Sequence, residues 1–251
     1  MSHSRHRLAR HYDRLARHGP YATLAPGNRG GRKSEYVAAV FDAAILPLLQ
    51  PGAIRTLLDF GCGTGTFTRL AAQRAGYVCG MDISPGMLAM ARTLCAPSAN
   101  VGLLRGDGQR LALGDRSIDV VVSREVLCYE AEQQLAVILA DIFRVLRPGG
   151  SFLWLEQAAT DPHWQRHPAS PAVYRRAPER LRELAEAAGF EVEDLRKLRN
   201  PRWPLIYPIW FGLVPRRLFP PLARFELAWH KRRPCRGRRW FDCLLILRRP
   251  A

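Results

Sequence analysis

Asp59, the run Gly61-Cys62-Gly63-Thr64-Gly65 and Asp82 lie close together in the chain. Glycines after a short apolar run let the backbone turn tightly and approach a ligand. Three ligand classes use this device. A phosphate-clamping loop needs Gly-Lys-Ser/Thr, yet Gly65 is followed by Thr66 and Phe67. A dinucleotide loop needs G-x-G-x-x-G, and Thr66 stands where the third glycine belongs. Asp59 also opposes a pyrophosphate, because a carboxylate beside a helix N-terminus repels an anion and suits a cation. The residue types therefore ask for a ligand with positive charge and a sugar.

S-adenosylmethionine meets both demands, with an ammonium, a sulfonium and free ribose hydroxyls. Asp59 can favour the positive methionyl end, directly or through water. The backbone of Gly61, Cys62, Gly63, Thr64 and Gly65 meets the rest, and Cys62 acts as a neutral filler. Asp82 ends the second apolar run and can accept both ribose hydroxyls. Asp107 in "RGDGQRL" can accept from the adenine amine, Gly108 permits close packing, and Ile83 and Met87 supply apolar contacts. Ser123, at the end of the fourth run, completes the expected contacts.

These residues need a scaffold. "TLLDF" (56–60), "YVCGM" (77–81), "VGLL" (101–104), "IDVVVS" (118–123) and "SFLWLE" (151–156) read as buried strands. Between them, Leu135, Ile138, Leu139, Ile142, Phe143 and Leu146 form one helical stripe that stops at "RPGG" (147–150). Ser84 reads as an N-cap with Pro85 at the first helical position. Strand–helix alternation implies an α/β fold, a parallel sheet covered on both faces. "QAATDPHWQRHPASPAVY" reads as irregular, "PERLRELAEAAGF" as a helix, and "FEVEDLRKL" and "FDCLLILRR" as further strands.

The blocks "LLDFGCGTGTFT", "GMDISPGMLAMAR", "GDGQRLAL", "IDVVVSREVLCY" and "VLRPGGSFLWLE" together resemble the class I S-adenosylmethionine-dependent methyltransferases, in the methyltransferase-domain group. The resemblance covers about 50–200 and the last strand. It implies a Rossmann-like sheet of seven strands, mostly parallel, with the last strand antiparallel. Many relatives carry a histidine after the fourth strand; Cys128 and Tyr129 stand there instead. Methyl transfer from a sulfonium is an in-line displacement, so the protein mainly aligns and dehydrates. Where the acceptor must lose a proton, Glu125, Tyr129, Glu130 and His163 are the candidates, each with a plainer alternative as a surface charge or a pocket wall. His163 and His167 sit four apart without a third ligand, so no metal is expected.

Formal charge is +16 across 251 residues, and it is unevenly spread. Residues 1–36 hold eight Arg or Lys against two acids, and 200–240 hold ten against one. The sequence divides accordingly into a basic N-terminal lid or arm (1–36), a cofactor-binding domain (37–199 with 241–251) and a basic aromatic insertion (200–240). Tyr12, Tyr21, Arg29, Arg32 and Lys33 are candidates to reach the cofactor carboxylate or an acidic acceptor. The insertion holds Trp203, Tyr207, Trp210, Phe211, Phe219, Phe225, Trp229 and Trp240, with prolines throughout. Such a mixture suits an anionic membrane surface and a small-molecule or lipid-linked acceptor. A folded substrate cap is the plainer alternative. Nucleic acid is the main rival partner, although no appended RNA-binding motif is present and "SREV" lacks the motif of amino-methylating DNA enzymes. A small natural product is a further acceptor class, and a non-catalytic subunit activating a partner a further role. Oligomeric state is open. Six cysteines without a Cys-x-x-Cys pair suit a reducing compartment. The basic N-terminus lacks the apolar region of a secretory signal, and no 18-residue apolar run occurs. A cytoplasmic protein, peripheral at the inner membrane face, is the resulting expectation.

Overall fold

A computed structural model describes residues 3–21, 31–167, 170–200, 203–231 and 240–251. Two helices, α1 (His3–Ala16) and α2 (Arg32–Ile45), precede an alternation of β1 (Ile54–Phe60), α3 (Thr66–Ala71), β2 (Ala75–Asp82), α4 (Pro85–Cys95), β3 (Val101–Arg105), β4 (Ile118–Arg124), α5 (Glu132–Val145) and β5 (Leu146–Ala158). A hairpin of β6 (His163–His167) and β7 (Ser170–Arg175) follows, then α6 (Pro178–Ala187) and β8 (Glu191–Arg199). Helices α7 (Ile206–Trp210) and α8 (Phe219–Lys231) lead to β9 (Phe241–Arg248).

Seven strands form one sheet in the order β3-β2-β1-β4-β5-β9-β8. Strands β1 to β5 pair in parallel, and β9 runs antiparallel between β5 and β8. The last strand of the chain is thus the antiparallel one and lies one place in from the edge. Apolar runs in the strands are nearly continuous because both faces are covered. Leu57, Val120, Val122, Leu153, Leu155, Leu244 and Ile246 face one core, with residues of α2 and the 200–240 insertion. Leu58, Val121, Phe152, Trp154, Leu245 and Leu247 alternate to the other face, under α5 and α6.

Two expectations need correction. The stretch after Glu156 is ordered into the β6–β7 hairpin, where Trp164 and Tyr174 pair across the strands at 5.0 Å. Pro162 precedes β6 and Pro171 is not among the paired positions of β7, so neither takes a ladder N–H away. The expected boundary after residue 36 also falls inside α2, whose Tyr36, Val37, Val40 and Phe41 are core residues.

The insertion joins the sheet through a buried ionic knot. Arg199, the last residue of β8, donates from Nη1 to Asp242 Oδ2 of β9 at 2.8 Å and lies 3.8 Å from Glu226 Oε1 of α8. The Tyr36 hydroxyl of α2 donates to Glu226 Oε2 at 2.7 Å. Asp242 and Glu226 are fully buried, and Arg199 is 3% exposed. Burial pushes the Glu226 carboxyl up to about 7 and raises Asp242 as well, although Arg199 pulls both down. Groups raised on folding favour the folded state at low pH and lose that contribution as pH climbs through their folded values. Arg199→Met leaves two buried acids without their cation. It is expected to cost roughly 3–5 kcal/mol at pH 8 and distinctly less at pH 5, where the stranded carboxyls take up protons. Thermal denaturation at the two pH values checks this.

Candidate cofactor and acceptor site

The site gathers at the carboxyl ends of β1, β2 and β4. The N–H groups of Gly61 and Cys62 both donate to Met81 O at 2.8 Å, which folds the glycine loop back over β2. Gly61, Gly63 and Gly65 all take left-handed backbone conformations, at φ 76°, 55° and 80°. These are the angles for which glycine carries no steric cost. A side chain at Gly61 would run into Val126, and one at Gly65 would press on Ala91 and Cys95 of α4. At Gly63 the corresponding direction is open space. The loop is therefore packed behind and vacant in front.

Asp82 faces that loop. Its Oδ2 accepts from Gly63 N at 2.9 Å and its Oδ1 from Ser84 N at 2.8 Å. Each carboxylate oxygen retains acceptor capacity for a hydroxyl. Burial pushes the Asp82 carboxyl up to about 6, and the two N–H groups oppose that shift. Ser84 caps α4, its hydroxyl accepting from Met87 N at 3.1 Å. Met87 is buried in α4, and Ile83 is half-buried beside Asp82. Ser123 is fully buried, and its hydroxyl has no partner among the described residues.

Asp59 is turned away from the loop cavity. It is 1% exposed and accepts from the Thr68 hydroxyl of α3 at 2.6 Å. Burial raises its carboxyl, while the charge of Arg124 lowers it. Arg124 itself lines the cavity with Gly61, Cys62, Gly63, Thr64, Tyr21 and Phe41. Asp42 holds its guanidinium at 2.9 Å, and the Phe67 ring lies 4.3 Å beneath it. This cation beside the glycine loop was not singled out from sequence; its only signal was its place at the tip of β4.

Helix α1 closes over these residues. Asp13 Oδ1 accepts from Ser84 Oγ at 2.6 Å and from Gly86 N at 2.8 Å, an anion set on the N-terminus of α4. Arg5 donates to the Asp107 carbonyl at 2.8 Å, lies 3.6 Å from its carboxylate and bridges to Glu130 at 3.0 Å. Gly108, at φ 76°, abuts the Phe60 ring. The hydroxyls of Tyr12 and Tyr129 meet at 2.5 Å, and burial pushes both phenols up. Tyr12 feels both Asp82 and Glu125, so it stands between the loop and a second group of acids.

That second group lies at the tips of β4, β5 and β9. Glu125 adopts φ 57°, left-handed for a residue with a side chain, and strain of this kind clusters at functional sites. Its N–H donates to Leu155 O at 2.9 Å, and its carboxyl feels the neighbouring carboxyl of Asp242. Burial first, then the neighbouring acid, pushes Glu125 well above the usual carboxylate range. Two neighbouring buried carboxyls resist ionising together. Glu156, 1% exposed, accepts from Trp154 Nε1 at 3.0 Å and is pushed up to about 7 by burial. The Cys128 thiol is raised by burial and then by Glu156, so it is no thiolate.

Other candidates go elsewhere. His163 is exposed on β6, with Nδ1 2.6 Å from Asp161 O. The side chain of His167 lies outside the described residues, as does Arg29. No group of three or more potential metal ligands occurs among the described residues. Arg32 donates to Val214 O and to Ile209 O, and Lys33 sits over the Trp210 ring at 5.8 Å. Both engage the insertion rather than the glycine loop. Tyr21 does line the loop cavity.

A family model described as a methyltransferase domain matches residues 58–154, which span the glycine loop, Asp82, Asp107 and Glu125. Over these residues the chain is similar to the class I S-adenosylmethionine-dependent methyltransferases. S-adenosylmethionine is the cofactor named for such relatives, and the open loop opposite Asp82 fits that molecule. Similar proteins include a malonyl-[acyl-carrier protein] O-methyltransferase of Serratia marcescens, 39% identical over 41% of this chain and 38% of that protein. A probable S-adenosylmethionine-dependent methyltransferase of Mycolicibacterium smegmatis is 37% identical over 56% of this chain and 53% of its own length. The chain thus spans about half the length, or less, of these curated relatives. Among solved structures, the [4+2]-cyclase SpnF superposes with TM-score 0.70 at 20% identity, covering 99% of this chain and 97% of that one. A methyltransferase from Mesorhizobium loti gives TM-score 0.57 at 24% identity, over 84% and 100% of the two chains. At these identities the likeness is one of fold.

Only ionised Asp82 can accept from two ribose hydroxyls. Affinity for S-adenosylhomocysteine is therefore expected to be constant above neutrality and to fall through pH 6. At pH 5 it is expected to be about tenfold weaker, one pH unit below a carboxyl at about 6. Asp82→Asn is expected to bind weakly with no such slope. Titration calorimetry across pH 5 to 8 checks both.

Proposed function

We propose that the chain methylates a small-molecule or lipid-linked acceptor, with the Glu125–Asp242 pair taking the acceptor proton. The observation that carries this reading is the sequence of groups from Asp82, across the Tyr12–Tyr129 hydrogen bond, to the acid pair. When bound, S-adenosylmethionine supplies an electrophilic methyl group on a sulfonium. Asp82 and the glycine loop would hold its ribose and backbone side. Arg124 would face the methionyl carboxylate. Asp59 would act at a distance, through charge alone.

The residues of the chain then have separable tasks. Helix α1 and the 200–240 segment exclude water. Tyr12 and Tyr129 place neutral hydroxyls between the two sets of acids. Glu125 and Asp242 share a single proton and so keep one negative charge, a base stronger than a lone exposed carboxylate. In the transfer, the acceptor heteroatom forms its bond to the methyl carbon, the carbon–sulfur bond breaks with its electron pair left on sulfur, and the acceptor proton enters at Glu125 as Glu125 passes its own proton to the ionised Asp242. Apolar and aromatic surroundings favour a hydrophobic acceptor. The likeness to the malonyl-[acyl-carrier protein] enzyme and to a demethylmenaquinone methyltransferase of Tropheryma whipplei, 38% identical over 45% of this chain, supports a small or lipid-linked acceptor over a nucleic acid.

Methyl-labelled S-adenosylmethionine added to fractionated cell extract is expected to label a lipid or small-molecule fraction. Label confined to RNA, or survival of the labelling in Glu125→Gln, overturns the reading. Glu125→Gln is expected to lower turnover on that fraction about 100-fold or more, while calorimetry finds S-adenosylhomocysteine affinity within a few-fold of the parent.

A further inference from the structure

Helix α8 and the turn before it carry an apolar stripe in addition to the face that the helix buries. Phe219, Ala223, Glu226 and His230, spaced four, three and four, are buried. They pack towards α2, with Tyr36 against both the Phe219 ring and the Glu226 carboxylate. A quarter turn around the helix, Leu218, Leu222, Phe225 and Trp229 repeat the same spacing. Leu218 is 43% exposed, Phe225 53% and Trp229 41%. Trp203 extends this second stripe, with its ring 6.4 Å from Phe225 and 6.0 Å from Trp229. Helix α7 adds Tyr207, and the turn after it Phe211 and Leu213, the last two more than two-thirds exposed.

Six of the nine large hydrophobics exposed among the described residues therefore sit on this one insertion. Single exposed apolar side chains are ordinary, whereas a concentration of them marks a contact surface. Charge selects the occupant. The sole acid of the insertion, Glu226, is fully buried. Arg217, Arg224 and Lys231 are exposed, and Arg216 is shared with Glu35 of α2 at 2.7 Å. A second copy of the chain would bring the same positive charges face to face, which disfavours a symmetric dimer through this patch. An anionic bilayer answers both features, since lipid headgroups meet the guanidinium groups and the interfacial zone receives indole, phenol and leucine side chains.

We propose that the α7–α8 insertion docks the protein on the surface of an anionic membrane, with Leu213, Phe211, Phe225 and Trp229 entering the headgroup boundary. Docking stands on this surface alone and does not depend on which acceptor is methylated. It gives the insertion a face towards lipid, while its other face packs on α2 and, through Glu226, meets Arg199 beside Asp242.

The full chain is floated with vesicles of phosphatidylcholine alone and of phosphatidylcholine with phosphatidylglycerol, at low and at high salt. Binding to the anionic vesicles, weakened by salt, with a blue shift of tryptophan emission, is expected. Phe225→Glu with Trp229→Glu, and separately Phe211→Ser with Leu213→Ser, are each expected to lower the partition coefficient about tenfold or more, with S-adenosylhomocysteine affinity unchanged. Absence of binding to anionic vesicles overturns the proposal. So does binding that both variants leave intact, or a parent dimer on sedimentation that both variants dissolve. An acidic protein captured through this patch, with no vesicle binding, counts against it in the same way.

Discussion

One buried guanidinium holds the separate parts of this structure in register. Arg199 ends β8, pairs with Asp242 at the start of β9 and reaches Glu226 on α8. Removing three charges from water is costly, and only mutual contact offsets the cost. The knot therefore has few alternatives to its observed geometry. It fixes where the insertion lies on the sheet. It also fixes Asp242, and with it the partner that Glu125 meets. The same guanidinium that seats the insertion also pulls the carboxyls of Asp242 and Glu125 down against their burial.

The rest of the site follows from the sheet. Parallel strands covered on both faces leave their carboxyl ends as the open crevice. Loops at those ends meet without any strand having to bend. Glycines let the first loop lie close to β2, and Asp82 then finds its two N–H donors in the loop and in α4. Helix α1 adds an anion, Asp13, to the N-terminus of α4, where the helix dipole favours it.

Much of this was legible in the chain. Near-continuous apolar runs gave away strands buried on both faces, and Ser84-Pro85 announced the start of α4. The glycine loop and Asp82 carried their own chemistry. The pairing of β6 and β7 was not legible, because prolines and histidines interrupt the alternation that marks a strand. Nor was the ionic knot. Arg199 and Asp242 are 43 residues apart, and a charge in a strand reads as solvent-facing until its partner is known. Arg124 was passed over for the same reason, since Asp42 and Phe67 make it a fixture of the cavity from distant positions. Asp13 and Arg5 looked like part of a basic arm, and only docking gives each a defined partner.

Helix α1 spans both halves of the crevice. Asp13 and Arg5 tie it to Ser84 and Asp107 beside the glycine loop, while Tyr12 and Arg5 tie it to Tyr129 and Glu130 after β4. Arg5 belongs to both sets. Pulling the helix off one set of contacts strains the other, so the two ends of the crevice are fastened by one shared strap.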